Sequence, residues 1–267
     1  MSDLTTGRIL VIKVGGAVAD LDGALLGLPE LLGAGYGICI VHGGGQEISA
    51  WLSRLSLPVR FKDGLRVTDP ASMEIATMVL RGKVNAGLTA ALRRHGVRAV
   101  GLSGIDGGMI TAIPHADPDL GLVGEVGSVD AGLLHLLMRD GYVPVIASIA
   151  AGADGNLRNI NADSVCGALA GALRAELTVF LTDVPGVRDH LGASLDTISR
   201  SRVTAMIDDG TIHGGMLPKV RACLAALAGG SQAACITDGR DRSALLPLLA
   251  GTQPRGTVVT ALEMGAQ

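Results

Sequence analysis

Two glycine-rich turns, each closing a short β-branched run, constrain the fold of this chain more than any other feature of its sequence. They are Val11-Ile12-Lys13-Val14-Gly15-Gly16 and Val41-His42-Gly43-Gly44-Gly45. Each apolar run has the length of a strand and precedes an amphipathic segment, which predicts two strand-to-helix turns. Glycine lets a backbone approach an anion closely, and the free N–H groups of such turns can bind phosphate. With the positive charge of Lys13, the turns predict a phosphate site in an α/β protein.

Neither turn has the sequence of a common nucleotide-binding motif. The Walker pattern Gly-x-x-x-x-Gly-Lys-Ser/Thr and the dinucleotide pattern Gly-x-Gly-x-x-Gly are both absent from these turns. Ordinary P-loop and dinucleotide-binding folds are therefore disfavoured. Glycines also end strands in α/β proteins that bind no phosphate, so the phosphate site needs support from other residues.

Composition limits the classes of protein and partner. The chain has 267 residues, 48% of them hydrophobic, and a net charge of −3, which suits one large α/β domain. The chain has no lysine- or arginine-rich block that would predict a nucleic-acid partner. No run approaches the roughly 18 consecutive apolar residues that a membrane-spanning helix needs. Residues 1–6 lack the features of a signal peptide, so we expect a cytoplasmic protein. The four widely spaced cysteines favour buried free thiols.

Strand-like runs alternate with helix-length segments along the whole chain. The runs are Arg8 to Val14, Gly37 to Val41, Ala99 to Leu102, Val143 to Ser148, Thr178 to Thr182, Ala233 to Thr237 and Thr257 to Val259. This alternation predicts a three-layer α/β/α sandwich with a mostly parallel central sheet. Helices are predicted over 71–80 after an Asp69-Pro70 cap, over 161–173, and over 217–228.

Shorter runs predict two hairpins, one pairing 109–113 with 122–126 and the other pairing Ile149 with 157–160. Such hairpins either cover a substrate or extend the edge of the sheet, and the sequence leaves both roles open. No Pro- or Ser-rich linker divides the chain. We therefore expect a single domain, 1–267, with any lobe boundary inside the continuous sheet near 173–177.

Polar residues near three predicted helix starts are candidates for ligand binding. Asp163 lies in a first helical turn, where the helix dipole alone favours an aspartate, whereas Asn159 lies in a strand-like run that seldom contains asparagine. Lys219 lies at a helix start, where a cation costs stability unless an anion is bound. Arg66 precedes the helix predicted over 71–80 and suits a carboxylate, although a surface arginine is the alternative.

The order of these motifs resembles that of the amino acid kinase family over nearly the whole chain. The matching strings are Lys13-Val14-Gly15-Gly16, His42-Gly43-Gly44-Gly45, Gly64-Leu65-Arg66-Val67-Thr68, Gly101-Leu102-Ser103-Gly104 with Asp106-Gly107, Gly121-Leu122-Val123-Gly124, Asn159-Ile160-Asn161-Ala162-Asp163, Thr182-Asp183-Val184-Pro185-Gly186 and Gly215-Met216-x-x-Lys219. The strings around Arg66 and Asn159 resemble the branch of the family that phosphorylates N-acetylglutamate.

The resemblance implies an amino acid kinase (carbamate kinase-like) fold, with an N-terminal lobe of about 1–174 for the acyl substrate and dimerisation and a C-terminal lobe of about 175–267 for the nucleotide. It implies phosphoryl transfer from ATP to the side-chain carboxylate of N-acetyl-L-glutamate in arginine biosynthesis, by a homodimer. Mg²⁺ is expected to arrive with ATP, held mainly by phosphates. Two alternatives stay open: another family kinase, such as one acting on carrier-linked aminoadipate or glutamate, and a non-catalytic amino-acid sensor with this fold.

The resemblance also implies roles for individual residues. Lys13 and Lys219 would stabilise the transferred phosphoryl group, and Asp163 would hold both ammonium groups. The acyl substrate would contact Gly44, Gly45, Arg66 and Asn159, and the nucleotide would contact Gly15, Gly16, Asp183, Gly186, Thr211, Ile212 and His213. A carboxylate is already ionised at neutral pH, so this reaction requires no general base. No metal site built from protein ligands is expected.

Overall fold

The computed structural model describes residues 8–15 and 23–261. The strands are β1 (Ile9–Val14), β2 (Gly37–His42), β3 (Phe61–Lys62), β4 (Leu65–Arg66), β5 (Ala99–Ser103), β6 (Ile110–Pro114), β7 (Val123–Val129), β8 (Val143–Ala147), β9 (Ile149–Gly152), β10 (Leu157–Ile160), β11 (Leu177–Thr182), β12 (Thr197–Ser199), β13 (Ala233–Asp238) and β14 (Thr257–Thr260). The α-helices are α1 (Leu28–Gly33), α2 (Gly45–Arg54), α3 (Pro70–Thr77), α4 (Asn85–Arg94), α5 (Gly132–Arg139), α6 (Ala162–Ala172), α7 (Arg200–Asp208) and α8 (Met216–Gly229).

An eight-stranded sheet in the order β12-β14-β13-β11-β1-β2-β8-β5 forms the centre of the fold. Its strand pairs are parallel except for β13 with β14. All seven predicted strands lie in this sheet, within one residue of their predicted limits. The eighth strand, β12, was not predicted.

Helices cover both faces of this sheet. Leu10 and Ile12 of β1 pack on one face with buried residues of α1 and α4. Val11 points to the opposite face and belongs to a cluster that includes residues of α5, α6 and α8. Successive strand residues alternate between faces, so a strand covered on both sides is apolar throughout. The predicted three-layer α/β/α sandwich with a mostly parallel sheet is confirmed.

A smaller closed sheet of four strands, in the order β10-β7-β6-β9, contains both predicted hairpins. The pairs β6 with β7 and β9 with β10 are antiparallel, as a hairpin requires. Parallel pairing of β10 with β7 and of β6 with β9 closes the sheet. The two hairpins therefore form one structural unit rather than two separate extensions of the main sheet.

The predicted Asp69 cap is confirmed, but the end predicted for its helix is wrong. The Asp69 carboxylate accepts a hydrogen bond from the Ser72 N–H at 2.8 Å, and Asn161 Oδ1 accepts one from the Asp163 N–H at 2.8 Å. The helix predicted to end at residue 80 continues through a π-helix, Met78–Val84, into α4. No proline interrupts this segment, and the wider π-helical turn has no sequence pattern of its own. The proposed lobe boundary near 174 stays a prediction.

Candidate active site

Both glycine turns open into one cavity at the carboxyl ends of β1 and β2. These strands are parallel neighbours, so their last residues meet at the same edge of the sheet. The cavity has a volume of about 240 Å³. It is lined by Lys13, Gly15, Gly43, Gly44, Gly45, Ile48, Phe61, Gly64, Leu65, Arg66, Leu80, Val123, Ser148, Asn159, Ile160, Asn161, Ala162 and Asp163. Because β7 and β10 contribute to this lining, the small sheet forms part of the candidate site.

Lys13 and Asp163 form an ion pair in the cavity wall. Lys13 lies on β1 and Asp163 in the first turn of α6, and Lys13 Nζ lies 2.8 Å from Asp163 Oδ1. The two side chains are only 12% and 9% exposed. Asp163 Oδ1 has no partner in hydrogen-bond geometry among the described residues, so the contact is an ion pair without a directed hydrogen bond. The pair fixes a positive charge beside the first glycine turn.

Glycine leaves room for a neighbouring side chain in both turns. A Cβ atom added to Gly15 would lie 2.6 Å from Lys13 Nζ, in the space that the ammonium group occupies. A Cβ atom added to Gly44 would lie 2.7 Å from Leu80 Cδ2 and 3.1 Å from Val84 Cγ2. The first turn thus makes room for the lysine, and the second packs closely against the π-helix. The predicted contact Gly16 lies outside the described residues.

Arg66 is a buried cation with an unused donor. Its Nη2 donates hydrogen bonds of 2.7 Å to Gly45 O and to Ser49 Oγ, and its guanidinium lies 4.7 Å from the centre of the Phe61 ring. Its Nη1 is buried and has no hydrogen-bond partner within the described ranges. Burial lowers the pKa of the Arg66 guanidinium. The surface position considered from the sequence is wrong. Arg66 lines the cavity, and a guanidinium with an unpaired nitrogen suits a carboxylate ligand.

Asn159 is connected to Arg66 through Thr68. The Asn159 amide donates a hydrogen bond of 3.3 Å to Thr68 Oγ1, which in turn donates one of 2.8 Å to Arg66 O. Sequence reasoning missed Ser148 and Phe61, which also line this cavity. Ser148 follows the buried strand β8 at the same sheet edge as the glycine turns, and that position could have identified it. The sequence around Phe61 has no comparable pattern that could have identified it.

The structure does not bring Lys219 to the cavity lining. Lys219 lies partly buried in the first turn of α8 and makes no ion pair or hydrogen bond with another described residue. Asp163 therefore contacts Lys13 but not Lys219 in this structure. The expectation that Asp163 holds both ammonium groups stays a prediction.

Of the predicted nucleotide residues, Gly15 lines the cavity, whereas those of the C-terminal lobe lie outside its lining, in two loops. Asp183 follows β11 and is exposed. A Cβ atom added to Gly186 would lie 2.5 Å from Thr257 Oγ1, so this glycine lets its loop pack against β14. The turn before α8 contains Thr211, which is partly exposed, Ile212, whose side chain is in the core, and His213, which is exposed. Ile212 could therefore meet a ligand only through its backbone.

His42 has no free ring nitrogen for a ligand. Its ring is completely buried, with Nδ1 near Gly43 O and Nε2 near the Asn85 amide, each at 2.9 Å. No three His, Cys, Asp or Glu side chains of residues 8–15 and 23–261 come together as metal ligands. None of the helices formed by these residues has the length and apolar character needed to cross a membrane.

Comparisons with known proteins cover both the sheet and the site. The model of the amino acid kinase family matches residues 8–238. The acetylglutamate kinase of Parasynechococcus marenigrum (strain WH8102) is 47% identical over 249 residues, which are 90% of this chain and 85% of that protein. The structure of smu.665 from Streptococcus mutans UA159 has a TM-score of 0.81 at 30% identity and covers 95% of this chain and 99% of that chain. Carbamate kinase from Giardia lamblia shares the fold, with a TM-score of 0.69 at 16% identity, covering 96% and 99% of the two chains.

Proposed function

This chain belongs to the amino acid kinase family, and from that premise we propose that it transfers the γ-phosphoryl group of ATP to the side-chain carboxylate of N-acetyl-L-glutamate. The products are N-acetyl-L-glutamyl 5-phosphate and ADP, and the reaction belongs to arginine biosynthesis. The enzyme is thus a phosphotransferase with a carboxyl acceptor. Its similarity to acetylglutamate kinases favours this substrate over a carrier-linked acid and favours an enzyme over a sensor.

One observation carries this proposal at the level of the site. Arg66, whose Nη1 is buried and unpartnered among the described residues, lines the same cavity as Lys13 and the two glycine turns. One cavity therefore offers a guanidinium with one unpaired nitrogen for a carboxylate and, elsewhere in its lining, a lysine and backbone N–H groups for a phosphoryl group. N-acetylglutamate has a carboxylate at each end, one to be bound and one to react. Arg66 would bind the α-carboxylate with Asn159 beside it.

The reaction needs positioning and charge stabilisation rather than proton transfer. An oxygen of the ionised side-chain carboxylate attacks the γ-phosphorus, and the bond from phosphorus to the bridging oxygen breaks. ADP leaves with the electron pair of that bond, so no proton moves in this step. Negative charge spreads over the transferred oxygens in the transition state. Lys13, held by Asp163, and the N–H groups of Gly15, Gly44 and Gly45 would stabilise this charge.

On the nucleotide side, Lys219 would contact the phosphates of ATP. Its place in the first turn of α8 supports this role, because a cation opposing a helix dipole is stabilised by a nearby anion. The loops containing Asp183, Gly186 and 211–213 would contact the nucleotide, and Gly16 would contact its phosphates. Mg²⁺ would be bound to the phosphate oxygens and water, neutralising part of their charge.

We also propose that the enzyme acts as a homodimer in the cytoplasm. Strand β5 supports the dimer, because it ends the strand order of the main sheet and one of its edges pairs with no strand of the described chain. Edge strands of this kind can pair with a second copy across a two-fold axis. Light scattering coupled to size-exclusion chromatography should give twice the monomer mass of 27.1 kDa. A monomer at micromolar concentration would contradict the dimer.

The test of the activity is ATP-dependent formation of an acyl phosphate, trapped with hydroxylamine as a hydroxamate. The purified chain should form the hydroxamate with N-acetyl-L-glutamate and not with L-glutamate or N-acetyl-L-aspartate. Omitting ATP gives the background rate. Turnover of glutamate without turnover of N-acetylglutamate would overturn the proposed substrate, and the absence of any acyl phosphate would overturn the proposed reaction.

A further inference from the structure

We propose that Asn85 and His42 form a hydrogen-bond relay that orients the Gly43–Gly44 peptide, so that the Gly44 N–H is presented to the reacting phosphoryl group. The proposal deepens the proposed function and rests on it for the identity of the anion. Asn85 and His42 do not touch the cavity, so they would be positioning residues. The structure supports the relay in three steps, which run from the Asn85 amide through the imidazole to the glycine turn.

The first step is that the Asn85 amide is held as a donor. Asn85 Nδ2 lies 2.8 Å from Val145 O in β8, 3.3 Å from Leu102 O in β5, and 2.9 Å from His42 Nε2 in β2. Turning the amide over would place its oxygen against two carbonyl oxygens, which cannot donate a hydrogen bond. The amide nitrogen cannot accept a hydrogen bond, so His42 Nε2 at 2.9 Å is the acceptor, and the two N–H bonds of Asn85 are shared among this nitrogen and the two carbonyl oxygens.

The second step is that the proton of His42 is confined to Nδ1. The ring is completely buried, and burial lowers the pKa of His42, so the imidazole is neutral and carries one N–H. Since Nε2 is the acceptor, that N–H is on Nδ1. The neighbouring atom at 2.9 Å is Gly43 O, which accepts the hydrogen bond. Asn85 thus sets the tautomer of His42, and the tautomer holds the Gly43 carbonyl.

The third step follows from the planarity of the peptide bond. In a trans peptide the C=O and the following N–H point in opposite directions. With the Gly43 carbonyl held toward the imidazole, the Gly44 N–H points away from it, and no acceptor within the described part of the chain takes this N–H. Leu80 and Val84 of the π-helix pack against Gly44 and support the turn. The relay therefore preorganises one N–H donor of the second glycine turn.

Two substitutions of His42 separate the two ends of the relay. In His42→Asn the shorter amide can place an N–H where Nδ1 was, which retains the bond to Gly43 O. In His42→Gln the longer amide reaches the position of Nε2, which retains only the contact with Asn85. We expect His42→Gln to lower kcat by roughly tenfold or more, since losing one such donor costs about 10²–10³-fold. His42→Asn should stay closer to wild type in kcat even where its melting temperature falls equally.

A second variant displaces Asn85 without changing His42. A Cβ atom added to Gly101 in β5 would lie 2.0 Å from Asn85 Oδ1, so Gly101→Ala must move the amide. It should lower kcat in the same way as His42→Gln, with a smaller effect on the KM for N-acetylglutamate. Gly87→Ala is the matched control, because Gly87 lies in the same helix as Asn85 and an added Cβ meets nothing within 4 Å.

Equal losses of kcat in His42→Asn and His42→Gln, or no loss in Gly101→Ala, would overturn the relay. The tautomer provides a readout that does not depend on activity. Long-range ¹H–¹⁵N NMR of the wild-type protein should show His42 protonated at Nδ1 and unprotonated at Nε2. Protonation at Nε2 would refute the relay even in an active enzyme. Failure to phosphorylate N-acetylglutamate would instead refute the proposed function and leave the NMR result to decide the relay.

Discussion

Replacing Arg66 with lysine should weaken the binding of N-acetylglutamate and leave the chemical step nearly unchanged. The arginine lines the cavity and uses Nη2 to donate hydrogen bonds to Gly45 O and Ser49 Oγ, while its buried Nη1 has no partner among the described residues. Lysine carries its donors on a single nitrogen and cannot reproduce the spacing of this fork. The variant must therefore lose either the bonds that hold the side chain or the bond to the substrate.

The size of the effect follows from the bond that the Nη1 group would form. A hydrogen bond between charged partners contributes about 1.5–3 kcal/mol, and about 1.4 kcal/mol corresponds to a tenfold change. The KM for N-acetylglutamate should rise roughly 10- to 150-fold. Because this bond would be present in both the ground state and the transition state, kcat should change little. The lowered pKa of Arg66 does not change this estimate of KM, because the guanidinium is charged at neutral pH.

The assay measures initial rates of hydroxamate formation while N-acetylglutamate and ATP are varied separately. The KM for ATP is the internal control and should stay at the wild-type value. Arg54→Lys is the matched control, because Arg54 also stacks on an aromatic ring, that of Trp51 at 5.2 Å, but is exposed and does not line the cavity. Arg66→Lys with an unchanged KM for N-acetylglutamate would refute the role of Arg66. A large fall in kcat at saturating substrate would assign it to the chemical step instead.

Three further results are expected. Gly15→Ala should lower kcat by roughly tenfold or more, with little change in melting temperature, because the new Cβ displaces only the flexible end of Lys13; an unchanged kcat would contradict this. The hydrogen bond from the Ser72 N–H lowers the pKa of Asp69 in the folded protein. The ionised Asp69 carboxylate therefore stabilises the fold fully above the ordinary pKa of 3.8, and this stabilisation is lost as the pH falls through the lower folded value. In urea unfolding, the free energy of unfolding of Asp69→Asn should fall less between pH 6 and pH 3 than that of the wild type. Burial raises the pKa of Cys39 and of Cys235 to about 12, so iodoacetamide at pH 8 should modify neither thiol until urea is added, and rapid modification of the folded protein would refute their burial.

The central sheet could be predicted because its strands are buried on both faces and are therefore continuous apolar runs. The antiparallel direction of β14 could not, since strand direction depends on the path of the preceding loop rather than on the strand's own residues. The joined helix from Pro70 to Arg94 was also missed beyond residue 80. Its π-helical turn is stabilised by tertiary contacts, such as the packing of Leu80 and Val84 against Gly44, which no local pattern records.

Candidate residues in the glycine turns could be identified from the sequence because a phosphate site requires particular residue types at a strand end. Their mutual geometry could not be identified in this way. Lys13 and Asp163 are far apart along the chain and meet only because α6 packs against β1. Likewise, the free Nη1 of Arg66 depends on two acceptors of α2 that occupy the other nitrogen. The sequence proposes the donors, and the tertiary structure decides which of them remain available to a ligand.

The separation of Asp163 from Lys219 illustrates why such geometry is hidden from local sequence patterns. These residues begin α6 and α8, two helices packed against each other. Their close approach depends on glycines remote from the cavity: a Cβ atom on Gly171 would lie 2.8 Å from Gly229 Cα, and one on Gly167 would lie 3.0 Å from a backbone oxygen of α8. Backbone atoms cannot yield as a flexible side chain can, so a larger residue there would push the helices apart. The position of the second lysine relative to Asp163 is thus determined partly by small residues that belong to no ligand-binding motif.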